Sequence, residues 1–311
     1  MRRILIDCDP GHDDALAILT AIANSQELDI LGITTVGGNQ TLDKVTENAK
    51  KILCFVKANI PLVKGQEKPL IKALCTGGEA HGDSGMDGPF FEGEDYPLEQ
   101  ENVIDFLYKK IMNAPGKVTI VALAPLTNVA LLLKVYPQVK EKIECISMMG
   151  GGVSHGNCTE LAEFNIYVDP EAAHIVFHAG VPIVMAGLDV TEQAAITLDE
   201  IEELKGKGRV SNLAYELLKF YHQSGKQFGF QDSPIHDLCA VEYLLAPEIF
   251  EGRACYVDVI TDNGPARGQT FADLRMQPHH DANVLVLEKV KRRDFVKILV
   301  QALKKLDQIE M

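Results

Sequence analysis

Residues 7 to 14 read Asp-Cys-Asp-Pro-Gly-His-Asp-Asp, four carboxylates within eight positions. Like charges at that density repel unless a cation or hydrogen-bond donors neutralise them. The donor atoms are all oxygen, which suits Ca2+ or Mg2+ rather than zinc. Asp7 and Asp9 stand two apart at the end of the apolar run 4–6, a spacing that on a strand sends both side chains to one face. Pro10 and Gly11 turn the chain, and Asp13 and Asp14 open a helix, where acids also suit the positive end of the dipole. Helix electrostatics accounts for the second pair of acids only. A metal site accounts for all four.

Further polar and glycine clusters sit just after apolar runs: Gly37-Gly38-Asn39-Gln40, Ala124-Pro125-Leu126-Thr127-Asn128 and Gly150-Gly151-Gly152. The runs themselves read as strands at 4–6, 30–36, 60–63, 118–123, 143–149, 182–186, 256–260 and 284–287. Between them, helical spacing of apolar residues marks 15–23, 42–56, 128–135, 170–178, 212–221 and 238–245, with a basic helix closing the chain at 292–306. This alternation predicts an α/β fold with a doubly wound, mostly parallel sheet flanked by helices. No repeat, low-complexity tract or linker interrupts it, so residues 1–311 are read as one domain. In such a sheet the loops that follow the strands meet along the carboxyl edge, where ligands bind. The chemistry-bearing clusters therefore converge on one crevice.

The chain of 311 residues is 46% apolar and 24% charged, ordinary values for a globular protein. With 30 Lys and Arg against 44 Asp and Glu, the formal charge is −14. That balance argues against a nucleic-acid polymer or an anionic membrane surface and suits a divalent cation or a neutral small molecule. Seven cysteines are scattered without a Cys-x-x-Cys pair, so reduced thiols are expected. The apolar run before Asp7 is three residues long, too short for a signal peptide, and no run approaches the roughly 20 residues of a membrane span. A cytoplasmic location is expected.

The acidic octamer resembles the signature of the inosine-uridine-preferring nucleoside hydrolase family. The other elements of that pattern occur in order: Gly38-Asn39-Gln40-Thr41, His81-Gly82-Asp83-Ser84-Gly85, Pro125-Leu126-Thr127-Asn128, Met148-Met149-Gly150-Gly151-Gly152, Ala162-Glu163-Phe164-Asn165, Asp169-Pro170-Glu171-Ala172-Ala173 and His236-Asp237. They cover about residues 4–240 and extend weakly beyond. The resemblance implies a calcium-dependent enzyme that hydrolyses the N-glycosidic bond of free ribonucleosides. Carried over by motif, the Ca2+ ligands are Asp9, Asp14, Asp237 and the carbonyl of Leu123, with Asp9 also the general base toward the attacking water. The sugar contacts are Asp13, Asn39, Asn157, Glu163 and Asn165, and Met149 and Phe164 wall the ribose.

His236, next to a metal ligand, is the first candidate for a general acid to the leaving base, and His81 in the glycine-rich loop 77–88 the second. That loop reads as a mobile lid as readily as a structural turn. Phe228 is the aromatic assigned to the base, with Phe220, Tyr221 and Phe230 competing for the role. His12 departs from the leucine often found in the motif and is given no chemistry. Tyr221-His222 and the Pro234-Ile235-His236-Asp237 ending lean toward the pyrimidine-preferring branch, with a broad preference as the alternative. A homodimer or homotetramer is expected. Two other readings compete: a non-catalytic ribose- or nucleoside-binding protein, and a haloacid-dehalogenase-type phosphatase. The second is disfavoured because Pro10-Gly11 follows Asp9 and none of these motifs carries Lys or Arg.

Overall fold

The computed structural model describes residues 1–91 and 95–309. Its strands are β1 (Arg2–Cys8), β2 (Leu28–Thr35), β3 (Leu62–Lys64), β4 (Val118–Ala122), β5 (Ile143–Met149), β6 (Ile183–Ala186), β7 (Ala195–Ile196), β8 (Ser233–Pro234), β9 (Phe250–Val259), β10 (Thr270–Asp273) and β11 (Val284–Val290). The helices are α1 (His12–Ala23), α2 (Leu42–Phe55), α3 (Gly78–His81), α4 (Val103–Asn113), α5 (Thr127–Val135), α6 (Phe164–Val168), α7 (Pro170–Phe177), α8 (Leu188–Thr191), α9 (Leu198–Glu202), α10 (Arg209–Gly225), α11 (Leu238–Leu245) and α12 (Arg292–Gln308), with short 3-10 turns besides.

Nine strands form one sheet in the order β10-β9-β11-β6-β5-β4-β1-β2-β3. Every pairing from β3 to β11 is parallel, and β9 alone is reversed, pairing antiparallel with both β11 and β10. Strand order reverses direction at β1, because β2 and β3 extend to one side of it and β4 begins the other. That switch point opens a crevice between the carboxyl ends of β1 and β4.

Both faces of the sheet are buried, as parallel strands require. Ile4, Ile6 and Cys8 of β1 face a core built with α1, α2, α10, α11 and α12. Leu5 faces the opposite core, built with α4, α5 and α7. The fold therefore agrees with the single-domain, doubly wound expectation. The short elements β7, β8, β10, α3, α6, α8 and α9 were not read from the sequence, and two longer ones also differ from that reading. Helix α4 went unassigned, although Asn102 caps it by accepting from Ile104 N at 2.9 Å and Val103, Ile104, Phe106, Leu107 and Ile111 form its buried stripe. The strand expected at 256–260 starts at Phe250 and pairs antiparallel with both β11 and β10, an edge ribbon whose alternating exposure hides it from a search for apolar runs.

Candidate active site

The carboxyl-terminal turn of β1 releases Asp9, which is fully buried, and α1 starts three residues later. Asp9 Oδ2 accepts from the backbone N–H of Asn39 at 2.6 Å, and the Asn39 amide donates back to the Asp9 carbonyl at 3.2 Å. Close approach of these loops needs glycine. A Cβ on Gly38 would run into the Asp9 carboxylate and Pro125, and one on Gly11 into the His81 ring and Asn39. Asp14 folds back over the turn, accepting from Gly11 N at 2.9 Å and Asp9 N at 3.2 Å.

Asp13, Asp14 and Asp237 bring carboxylate oxygens within 4.8 Å of one another, all three residues buried. Asp14 and Asp237 are within hydrogen-bonding reach of each other, a contact that only a shared proton or a bound cation makes favourable. Burial first, then the neighbouring acids, pushes the Asp9 and Asp237 carboxyls well above the usual range and Asp14 to about 7. Asp9 Oδ1 and Asp13 Oδ1 are buried without any hydrogen-bond partner. Unpartnered buried carboxylate oxygens are costly, and their all-oxygen surroundings fit a hard divalent cation.

Asp7 does not join this group. It lies on the Leu5 face of β1, where Oδ1 accepts from Thr34 Oγ1 at 2.5 Å and Asn128 Nδ2 at 2.7 Å. The shared-face expectation fails because β1 ends at Cys8, so the alternation no longer applies at Asp9. Asp7 ties β2 and α5 to β1.

Above the acids lies a cavity of about 960 Å3. Asp13, Asn39, His81, Leu123, Met149, Asn157, Glu163, Phe164, Asn165, Phe228, His236 and Asp237 all line it, while Asp9 and Asp14 lie beneath its floor. Glu163 caps α6, accepting from Gly151 N at 2.8 Å, Asn165 N at 3.1 Å and Ile166 N at 3.3 Å, and burial raises its carboxyl to about 7. Asn165 Nδ2 reaches the Leu123 carbonyl at 3.0 Å and that of Met149 at 3.3 Å. Asn157 Oδ1 accepts from Phe164 N at 2.9 Å, fixing that aromatic ring's backbone.

One wall is aromatic. His12 and His81 approach through their Nδ1 atoms at 3.1 Å, and His12 stacks on Phe220 with centroids 5.1 Å apart. Tyr221 stacks on both histidines, 5.5 Å from each. Of the four competing aromatics, Tyr221, Phe228 and Phe230 line the cavity, and Phe220 sits behind it on His12. His81 is buried in α3, so this part of the glycine-rich loop is packed into the wall. Burial lowers His12 to about 3 and His81 to about 4, and lowers His236, whose Nδ1 contacts Thr191 Oγ1 at 2.8 Å. The site residues that sequence reasoning passed over are His155, Cys75 and Cys158 at the rim and Glu192, which meets His155 Nε2 at 3.1 Å. None belongs to the acidic octamer or to the motifs that carry the family resemblance, the signals from which the other site residues were read.

Residues 4–297 match the family described as inosine-uridine preferring nucleoside hydrolase. The chain belongs to that family. It is 43% identical to the pyrimidine-specific ribonucleoside hydrolase RihA of Citrobacter koseri, over 96% of this chain and 97% of the relative. It is 42% identical to the Escherichia coli protein of the same name, over 97% and 98%. Among solved structures, the purine-preferring ribonucleoside hydrolase from Gardnerella vaginalis superposes with a TM-score of 0.91 at 27% identity, covering 99% of each chain. An inosine-guanosine nucleoside hydrolase gives 0.89 at 26%, covering 100% of each. This nucleoside hydrolase therefore acts on the N-glycosidic bond of ribonucleosides. Among its described residues, no helix is long and apolar enough to cross a membrane.

Proposed function

We propose that this nucleoside hydrolase uses Ca2+ and acts on free ribonucleosides with a pyrimidine-leaning or broad base preference. The observation that carries the metal reading is the pair of partnerless buried oxygens, Asp9 Oδ1 and Asp13 Oδ1, beside the Asp14–Asp237 contact. Asp9, Asp14, Asp237 and the Leu123 carbonyl would hold the ion, and Asp13 is close enough to Asp14 and Asp237 to share it. When bound, Ca2+ supplies Lewis-acid charge that acidifies a water and grips vicinal hydroxyls.

The protein's own groups divide the remaining work. Asp9 has one oxygen pinned by Asn39 N–H and the other free to take a proton, the disposition of a general base. Asp13, Asn39, Asn157, Glu163 and Asn165 offer polar atoms to the ribose hydroxyls, and Met149 and Phe164 close its apolar sides. As the C1′–N bond lengthens, positive charge grows on the sugar ring. Carboxylates and amide oxygens surround that position, and no Lys or Arg is among the described residues that line the cavity. The absence of a cationic side chain also favours an unphosphorylated nucleoside over a nucleotide.

His236 and His81 are held neutral in the free protein, so a ring N–H hydrogen-bonds the departing base rather than a standing imidazolium protonating it. Tyr221, whose hydroxyl is kept protonated by burial and by Asp13, Asp237 and Asp14, is a third donor on that wall. Pyrimidine preference is supported by the relatives at 42–43% identity, which are named as pyrimidine-specific, against purine-preferring structures at 26–27%. Comparing kcat/KM for uridine, cytidine, inosine and adenosine, read as release of free base, tests it. Uridine and cytidine are expected to equal or exceed the purines. Inosine or adenosine ahead of both by more than about tenfold, 1.4 kcal/mol in transition-state binding, would overturn it.

A further inference from the structure

Outside the catalytic cavity, α7 and β9 bring together a second set of metal-binding side chains. His174 lies on α7 and His178 caps its end, one turn apart, so both project on the same side. Asp258 on β9 faces them, and the ligand atoms of all three lie within 4.8 Å of one another. His174 Nδ1 is 2.9 Å from Asp258 Oδ1, and His178 Nε2 is 3.5 Å from Asp258 Oδ2. For tetrahedral bonds of about 2.0–2.2 Å, neighbouring ligand atoms stand about 3.3–3.5 Å apart, so these spacings need little adjustment.

Tautomer chemistry sharpens the point. His178 Nδ1 lies 2.9 Å from the carbonyl of His174, which can only accept, so Nδ1 carries the hydrogen. In the neutral ring, Nε2 then presents a lone pair toward a carboxylate oxygen. The Tyr256 hydroxyl lies 3.3 Å from that nitrogen and 3.2 Å from Asp258 Oδ2, and its single hydrogen can satisfy only one of them. Whichever atom the Tyr256 hydrogen satisfies, Nε2 and Oδ2 face each other at 3.5 Å, a contact made favourable by a proton on His178 or by a metal ion between them. A histidine that ligates a metal while donating its other N–H to a backbone carbonyl is the usual form of such sites. Imidazole nitrogens select zinc and its borderline neighbours over calcium.

We propose that His174, His178 and Asp258 form a second metal site, for Zn2+ or a similar transition metal, that clamps α7 to β9. The position gives it a structural consequence. Helix α7 follows directly on α6, the turn that carries Phe164 and Asn165 into the catalytic cavity. None of the three ligands lines that cavity. The clamp therefore braces the backbone behind the sugar-binding turn without entering the reaction.

The test is calorimetric titration of Zn2+ into chelator-treated protein resupplied with excess Ca2+, so that the acidic crevice is filled. Wild type is expected to bind one equivalent of Zn2+ saturably and to gain thermal stability on doing so. His174→Gln and His178→Gln, which keep polar side chains at both surface positions, are each expected to weaken that binding by at least about tenfold. Crystals soaked in Zn2+ should show anomalous density at the zinc edge between α7 and β9. No saturable binding, or equal stoichiometry and affinity in wild type and both variants, would overturn the proposal.

Discussion

The acidic floor of the cavity is buried and the histidines of its aromatic wall are buried or half-buried, and the two sets of groups respond to lost water in opposite ways. On the floor, burial and mutual repulsion raise Asp9, Asp14 and Asp237. On the wall, burial lowers His12, His81 and His236. Removing water disfavours charge of either sign, but the two regions find neutrality differently. A histidine becomes neutral by losing a proton, and its ring then stacks as an ordinary aromatic, as His12 does between His81 and Phe220. A carboxylate becomes neutral only by gaining a proton, and a protonated acid can neither hold a cation nor take a proton from water. The wall is complete as it stands, whereas the floor is built for something it must bind. One helix turn serves both, since His12 enters the wall while Asp13 and Asp14 enter the floor.

The strongest way to break this contrast is to withhold the ion. Prolonged treatment with a calcium-selective chelator is expected to abolish turnover, and Ca2+ should restore it better than Zn2+. Full activity in protein shown by elemental analysis to be metal-free would end the floor's assigned role. The sugar tests the same oxygens from above. If Asp13 Oδ1 and the ion engage the 2′-hydroxyl, 2′-deoxyuridine leaves buried polar groups without their partner. Uridine is expected to exceed it by at least about 10³-fold in kcat/KM. Deoxynucleosides form their ring cation more easily in water, so near-equal rates would mean that Asp13 does not hold the ribose.

Effects on the wall are expected to be smaller and selective for the leaving group. His236→Ala should slow uridine by about 10²-fold and leave p-nitrophenyl riboside, whose leaving group departs unaided, within about threefold. Equal losses on both substrates would reduce His236 to a support for Asp237. Tyr221→Phe keeps the stack on His12 and His81 and removes the hydroxyl, so a loss confined to uridine would place that donor beside the base.

Much of this contrast was legible in the sequence, because backbone topology alone carries the strand-end clusters to one edge. Asp9, Asp13, Asp14 and Asn39 stand in clusters that follow apolar runs, Glu163, Asn165 and Asp237 were reached through the family resemblance, and all lie in the cavity lining or directly beneath it. What was not legible depended on where a strand stops or which side of a helix a ring takes. Asp7 and Asp9 share a spacing but not a face, because β1 ends between them. Phe220 and Tyr221 are adjacent, yet a helical rotation of one residue puts Tyr221 in the lining and Phe220 behind it. His12 carried no pattern of its own, since its partners His81 and Phe220 are far along the chain. The antiparallel edge strands were obscured by their half-exposed alternation.

The finest test of the two regions is the pH dependence of stability. Without metal, Asp14 and Glu163 hold protons up to about pH 7, whereas their ordinary values are 3.8 and 4.5. Between those limits the native state binds more protons than the unfolded chain, so the floor and its rim lose stability as pH rises. His12 and His81 act in reverse. Their ordinary value of 6.5 falls to about 3 and about 4, so below 6.5 the unfolded chain takes up protons the native rings refuse. The wall therefore loses stability as pH falls. Calcium displaces the floor's protons, so the rise in Tm on adding Ca2+ is expected to grow from pH 4 to pH 7. Protonation at low pH also releases Ca2+, and a second variant is needed to isolate the wall. His12→Gln keeps a hydrogen-bonding side chain but does not titrate, so with saturating Ca2+ its Tm should fall less steeply than wild type between pH 6.5 and 5. Identical slopes would mean that His12 takes up its proton in the folded protein, and the wall would then be a charged surface facing the base.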